Sequence, residues 1–312
     1  MCANMVKEVY PAGDSMTHAT TPYVDWFVSA EDGLRLHLRD YGSPLDPGLP
    51  VVCLPGLTRN AADFGPLAEA LAAGAAGRRR RVIALDYRGR GESDFDRDWR
   101  RYDLKVESAD ILAQLAAVEI HQAIFIGTSR GGLHAMLLAA ARPALVRGAV
   151  LNDVGPVIEL HGMTRIRQYL RHPAAPNSLN DALDYVRKAM SAQFPALSEA
   201  DFEFYARASF QKPDGTFGAT FDPNLVKPLD ALQLDEPLPH SWGLFEALAD
   251  VPLLVIRGSN SDVLSAETVV EMARRHRNCA TYVVEGQGHP PLLRDDAAIA
   301  RIAAFITEAE RA

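Results

Sequence analysis

Short, unbroken apolar runs alternate along most of the chain with stretches whose apolar residues recur every three or four positions. The runs 51–54, 82–85, 123–127, 148–151, 252–256 and 280–284 are short and mostly apolar, as expected of strands in a parallel sheet covered on both faces. Between them, residues 61–73, 106–120, 131–141, 266–275 and 297–309 read as helices. This alternation predicts an α/β fold: a mostly parallel central sheet with helices on both faces. An antiparallel hairpin precedes it. Residues 26–28 and 34–38 flank Glu31-Asp32-Gly33, where glycine supplies the positive φ of the turn.

The rhythm breaks from residue 156 to about 245. Helical pieces at 162–171, 179–191 and 200–208 are followed by a Gly/Pro/Asp-rich stretch, 211–228, without strand alternation. The expected organisation is an N-terminal arm (1–21), a core in two segments (22–155 and 246–312) and an inserted helical cap (156–245).

Composition narrows the function classes. Hydrophobic residues make up 48% of the 312, enough for a substantial core. The net charge of -8 argues against nucleic acid or an anionic membrane as partner. The basic run Arg78-Arg79-Arg80-Arg81 reads as a solvated loop. Three scattered cysteines, Cys2, Cys53 and Cys279, do not form a disulfide framework, and Cys53 reads as a small buried hydrophobe. No apolar stretch spans a bilayer, and the first twenty residues lack a secretory pattern, so the expected location is cytoplasmic. Oligomeric state is left open.

One pentapeptide carries chemistry. Gly127-Thr128-Ser129-Arg130-Gly131 is G-x-S-x-G at a strand-to-helix junction. A sharp turn there holds the serine hydroxyl above the sheet, at a helix N-terminus that favours developing negative charge. The pattern alone arises by chance in about one in ten chains of this size, so its context carries the weight. A serine hydroxyl needs a base. Of nine histidines, His289 lies in a Gly/Pro-rich loop after the last strand, where parallel sheets place their sites. His134 reads as packing or pocket lining; His18, His121, His172 and His276 as surface. The base needs an acidic partner. Two candidates follow strands at the same edge, Asp262 after 252–256 and Asp153 after 148–151. Asp262 is preferred, because Ser265 already reads as the cap of the next helix.

The order Ser, Asp, His and the motifs around it resemble the α/β-hydrolase superfamily over almost the whole chain. Leu54-Pro55-Gly56-Leu57 is similar to the family's oxyanion turn. Asp86-Tyr87-Arg88-Gly89-Arg90-Gly91-Glu92-Ser93 is similar to its D-x-R-G-x-G-x-S loop. The resemblance implies a serine hydrolase with Ser129, Asp262 and His289 as triad, and an oxyanion hole of the backbone N–H groups of Leu57 and Arg130. Pro55 stands where many relatives have His; donation from Leu57 survives that change.

A serine at the elbow disfavours the dehalogenase and epoxide-hydrolase branches, which use Asp there. The leading reaction is cleavage of a small-molecule carboxylic ester or lactone through an acyl-enzyme. Alternatives are a meta-cleavage-type carbon–carbon hydrolase, an acyltransferase, and a non-catalytic binding protein of the same fold. Met163, Ile166 and Tyr169, near helical spacing in the insertion, are candidate pocket residues. Arg165 and Arg167 are candidates to meet a substrate carboxylate. No metal-ligand cluster or phosphate loop is evident, and no cofactor is implied.

Overall fold

The computed structural model describes residues 5–6, 22–234, 236 and 238–311. Its strands are β1 (Met5–Val6), β2 (Tyr23–Ser29), β3 (Arg35–Tyr41), β4 (Val51–Leu54), β5 (Val82–Leu85), β6 (Ala123–Thr128), β7 (Val146–Asn152), β8 (Leu253–Gly258) and β9 (Cys279–Val284). They form one sheet in the order β1-β2-β3-β5-β4-β6-β7-β8-β9. The hairpin β2–β3 has the expected register, Trp26 opposite Leu38 and Val28 opposite Leu36, and Gly33 takes φ +84° in its turn. From β5 onward every pairing is parallel. Apart from Met5–Val6, a short strand beside β2, the expected arm over 1–21 lies outside the described residues.

Alternation along the strands divides the core between two faces. Val52 and Leu54 of β4 face one layer with Ile111 and Leu115 of α2 (Leu104–Ala117) and Met136 and Leu138 of α3 (Arg130–Ala141). Val51 and Cys53 face the other, with Leu67 and Leu71 of α1 (Gly65–Ala73) and Ile302, Phe305 and Ile306 of the C-terminal helix (Asp296–Ala309). Each such Leu, Ile or Phe contributes roughly 1.5–3 kcal/mol by leaving water. Burial pushes the Cys53 thiol far up, as a small hydrophobe requires.

Between β7 and β8 the chain leaves the sheet through α4 (Leu160–Arg171), α5 (Leu179–Met190), α6 (Glu199–Phe210) and the short α7 (Val226–Asp230) and α8 (Trp242–Glu246). Ser178 caps α5, and Ser198 with Asp201 forms a capping box on α6. Val186 and Met190 of α5 meet Phe202, Ala206 and Phe210 of α6 in a separate small core. This insertion touches the loop after β4. Asn60 Nδ2 donates to the Ala208 carbonyl at 2.8 Å, and the Arg59 guanidinium lies 3.9 Å from the Tyr205 ring centroid. The helices that close the core are α9 (Ala266–Arg275) and α10, the C-terminal helix already described.

The basic run is not a solvated loop throughout. Arg78 and Arg79 are exposed, but Arg80 is fully buried and donates to Glu310 at 2.8 Å, while Arg81 binds both oxygens of Asp40 at 2.9 and 2.7 Å. The acid partners lie far off in sequence, so a local reading of charge could not reveal the pairs.

Candidate active site

Ser129 ends β6 and opens α3 with φ 51° and ψ -114°, a backbone conformation that L-residues rarely adopt. The glycines on either side make the turn feasible. A Cβ on Gly131 would lie 2.0 Å from the Leu54 carbonyl oxygen, and one on Gly127 would lie 2.4 Å from the Gly131 backbone. The Ser129 N–H donates to the Asn152 carbonyl at 2.9 Å, which fixes the turn against β7.

His289 sits in the loop between β9 and α10 and is 8% exposed. Its Nε2 is 2.9 Å from Ser129 Oγ and its Nδ1 is 2.7 Å from Asp153 Oδ2. An ionised carboxylate only accepts, so the proton is on Nδ1 and the Nε2 lone pair faces the serine hydroxyl. Asp153 is fully buried directly after β7, with φ 59°. Its Oδ1 accepts from the Gly258 N–H at 2.9 Å, and its Oδ2 also accepts from Ser261 Oγ at 2.5 Å. Three donors therefore hold one desolvated carboxylate in place.

This geometry corrects the acid expected from the sequence. Asp262 lies on the loop after β8 but its carboxylate faces the insertion: Arg165 grips it through Nε at 2.6 Å and Nη2 at 2.7 Å. The loop presents Gly258 N–H and Ser261 Oγ to Asp153, and the next side chain, Asp262, turns the other way. Burial raises the Asp262 carboxyl, but hydrogen bonding and charge from Arg165 outweigh it and hold the group below the usual carboxylate value. The same pair accounts for Arg165, whose guanidinium is engaged by Asp262 instead of standing free for a ligand. The Asp262 carbonyl accepts from the Gly162 N–H and that of Val263 from the Glu159 N–H, both at 3.0 Å, so α4 is docked directly on this loop.

Leu57 and Arg130 lie on the two turns that meet at the serine. An ideal Cβ at Gly56 would be 3.9 Å from Ser129 Cβ, so the turn after β4 faces the elbow. Leu57, Met163, Ile166 and Tyr169 pack into one cluster with Tyr102, Leu170, Phe221 and Leu225. The candidate pocket residues of α4 are thus brought beside the turn that carries Leu57. Arg167 Nη1 reaches the Leu232 carbonyl at 3.4 Å.

The remaining histidines divide by environment. His134 is fully buried between Ser108 and Glu107, and burial lowers its pKa. His276, expected at the surface, is 5% exposed with Nε2 on the Leu248 carbonyl at 2.8 Å. His37 is fully buried, with Nδ1 on Asp86 at 2.6 Å and Nε2 on Asp25 at 2.9 Å. Asp25, His37 and Glu92 bring ligand-type atoms within 4.8 Å of one another, but both His37 nitrogens already face carboxylates. A cleft of about 1000 Å³ lined by Arg35, Arg39, Glu92, Phe95 and Arg207 lies away from Ser129 and His289.

Residues 51–302 match the alpha/beta hydrolase family. The chain is 32% identical over 284 residues to the 3-hydroxybutyrate-oligomer hydrolase of Cupriavidus necator, covering 88% of this chain and 94% of that protein. It is 26% identical to the 2-(acetamidomethylene)succinate hydrolase of Mesorhizobium japonicum, covering 82% and 85%. Among solved structures it is similar to an alpha/beta hydrolase from Novosphingobium aromaticivorans, with a TM-score of 0.84, 36% identity, and 94% and 100% of the two chains covered.

Proposed function

The chain belongs to the alpha/beta hydrolase family, and from that premise we propose that it is a serine hydrolase cleaving a carboxylic ester through an acyl-enzyme. The observation that carries this reading is the unbroken hydrogen-bond chain Ser129 Oγ, His289 Nε2, His289 Nδ1 and Asp153 Oδ2, with links of 2.9 and 2.7 Å. Ser129 is the nucleophile, His289 the base, and Asp153 fixes the tautomer and stabilises the imidazolium.

As Oγ attacks the ester carbon, its proton passes to Nε2. The carbonyl π electrons move to oxygen, and the backbone N–H groups of Leu57 and Arg130 donate hydrogen bonds to the resulting oxyanion. Collapse of the tetrahedral adduct breaks the bond to the alkoxide, which takes the Nε2 proton and leaves as alcohol. Water then gives a proton to Nε2 as its oxygen attacks the acyl carbon; collapse of this second adduct breaks the bond to Ser129 Oγ, which takes the proton back from Nε2, and the acid is released.

The insertion acts as a cap in this reading, with Leu57, Met163, Ile166 and Tyr169 forming apolar pocket wall. Similarity to an enzyme named for 3-hydroxybutyrate oligomers makes short oligoesters of a hydroxy acid the first substrates to test. A cytoplasmic small-molecule ester fits this scheme. The experiment compares wild type and Ser129→Ala on p-nitrophenyl butyrate, 3-hydroxybutyrate dimer and trimer, and a vinylogous diketone of the ring-cleavage type. Ester turnover abolished by the substitution is the expected result. Equal rates in both proteins, or turnover of the diketone alone, would replace the proposal.

A further inference from the structure

We propose that Glu107 is a positioning residue that sets both halves of the oxyanion hole at once. The inference rests on the reading of Leu57 and Arg130 as the two backbone donors.

Glu107 belongs to the first turn of α2 and is fully buried. Its Oε1 accepts from Arg90 Nη1 at 2.7 Å, and its Oε2 accepts from Arg130 Nε at 2.6 Å and faces His134 Nε2 at 3.1 Å. Arg90, itself fully buried, donates from Nε to the Leu57 carbonyl at 2.7 Å and from Nη1 to the Arg88 carbonyl at 2.7 Å. One carboxylate thereby reaches the Leu57 main chain through one guanidinium and the residue after the nucleophile through another. Arg130 is braced further by Nη2 on the Tyr102 carbonyl at 3.4 Å.

The turn is held on both sides of the donor. Tyr87 Oη donates to the Pro55 carbonyl at 3.1 Å, and Arg90 holds the Leu57 carbonyl. The Leu57 N–H lies between those two anchors, next to Gly56, whose missing side chain leaves the main chain free to pivot. The same peptide is also held by the Gly56 carbonyl, which accepts from the Arg59 N–H at 3.1 Å, so losing the Arg90 contact removes one of two downstream restraints and loosens the pivot. Oxyanion stabilisation depends on donors that need no reorganisation at the moment of reaction, so such restraint bears directly on turnover.

The charges require the same arrangement. Burial raises the Glu107 carboxyl, but the Arg130 and Arg90 guanidiniums overcome it and keep the group ionised. Without this carboxylate, the fully buried Arg90 and the partly buried Arg130 would lose the anion that neutralises them, and each would be drawn to another partner.

The test uses Glu107→Gln, which keeps size but loses charge, and Arg90→Lys, which removes the Nε–H from Leu57 while keeping a cation beside Glu107. Thermal melting reports folding, a p-nitrophenol burst counts competent sites, and p-nitrophenyl butyrate gives kcat and KM per site. A trifluoromethyl ketone, whose serine adduct carries an oxyanion, reports the hole directly. We expect kcat per titrated site to fall roughly 10- to 100-fold with KM within about twofold, and ketone affinity to weaken in parallel. A kcat within about twofold of wild type in folded Glu107→Gln overturns the inference. If that variant does not fold, Arg90→Lys is judged by the same two criteria, and loss of fold in both assigns the network to stability alone. Ser129→Ala separates the two levels. Full activity in it overturns the serine-hydrolase reading itself, whereas an inactive Ser129→Ala beside unimpaired Glu107→Gln and Arg90→Lys overturns only the role of Glu107.

Discussion

Two aspartates compete for one imidazole, and the three donors on Asp153 decide between them. Removing the Asp153 charge while keeping its shape leaves His289 free to take the wrong tautomer. Asp153→Asn is therefore expected to lower kcat on p-nitrophenyl butyrate by roughly 10³–10⁴-fold. Asp262→Asn is expected to keep kcat within about tenfold, because its partner is Arg165 and not the base. Steady-state kinetics of the pair checks both outcomes. The sequence could not make this choice. Both residues follow strands at the same sheet edge, and only the turn of the 258–264 loop shows which side chain faces inward. Ser129 and His289, by contrast, were legible, because an elbow pentapeptide and a glycine-flanked loop are local signals. His37 sets a different prediction. Burial alone would lower its pKa, but Asp86, Asp25 and Glu92 outweigh that and raise it from 6.5 to about 9, with Arg39 nearby on the same strand. A raised folded-state value means its contribution is complete below about pH 6.5 and is lost as pH climbs through about 9. Urea unfolding is expected to show a decline of roughly 2–3 kcal/mol over that window, absent in His37→Gln.

At the level of elements, the central strands β4 and β5 announce themselves because both faces are covered and every position is buried and apolar, whereas the edge strand β9 carries Thr281 and an exposed Val283. The short helices α7 and α8 do not announce themselves, since five residues show no period. The elbow offers a sharp contrast between two glycines. At Gly131 a methyl group would collide with the Leu54 carbonyl at 2.0 Å, and the backbone of β4 cannot retreat without breaking its ladder to β6. Gly131→Ala is expected to cost about 3 kcal/mol or more, or to prevent folding. At Gly65, at the start of α1, nothing lies within 4 Å of a new Cβ. Gly65→Ala is expected to be neutral or to stabilise by up to about 1 kcal/mol, through helix propensity and a less flexible unfolded chain. Equilibrium denaturation of the two variants measures the contrast.

Across the whole molecule, the final helix is anchored by charge as well as by its apolar face. Arg80 is fully buried, donates to Glu310 at 2.8 Å and to the Leu49 carbonyl at 3.1 Å, and so ties α10 to the segment before β4. Arg80→Met takes away the cation that faces Glu310, which keeps only the Leu49 N–H at 2.7 Å, and removes the side-chain donor from the Leu49 carbonyl; it is expected to lower unfolding free energy by roughly 2–4 kcal/mol, read by chemical denaturation. The fold class was legible because strand–helix alternation is written in sequence order. This anchor was not, because its partners are 230 positions apart.

The Ser129–His289–Asp153 chain is drawn entirely from turns that follow β6, β7 and β9, whereas Met163, Ile166 and Tyr169 belong to the insertion. On the proposed reading, the bond-breaking groups come from the sheet domain, and most of the pocket wall, Leu57 apart, comes from a separate length of polypeptide. If that reading holds, exchanging side chains within 156–245 should alter which compounds are accepted while the Ser129–His289–Asp153 links keep their geometry.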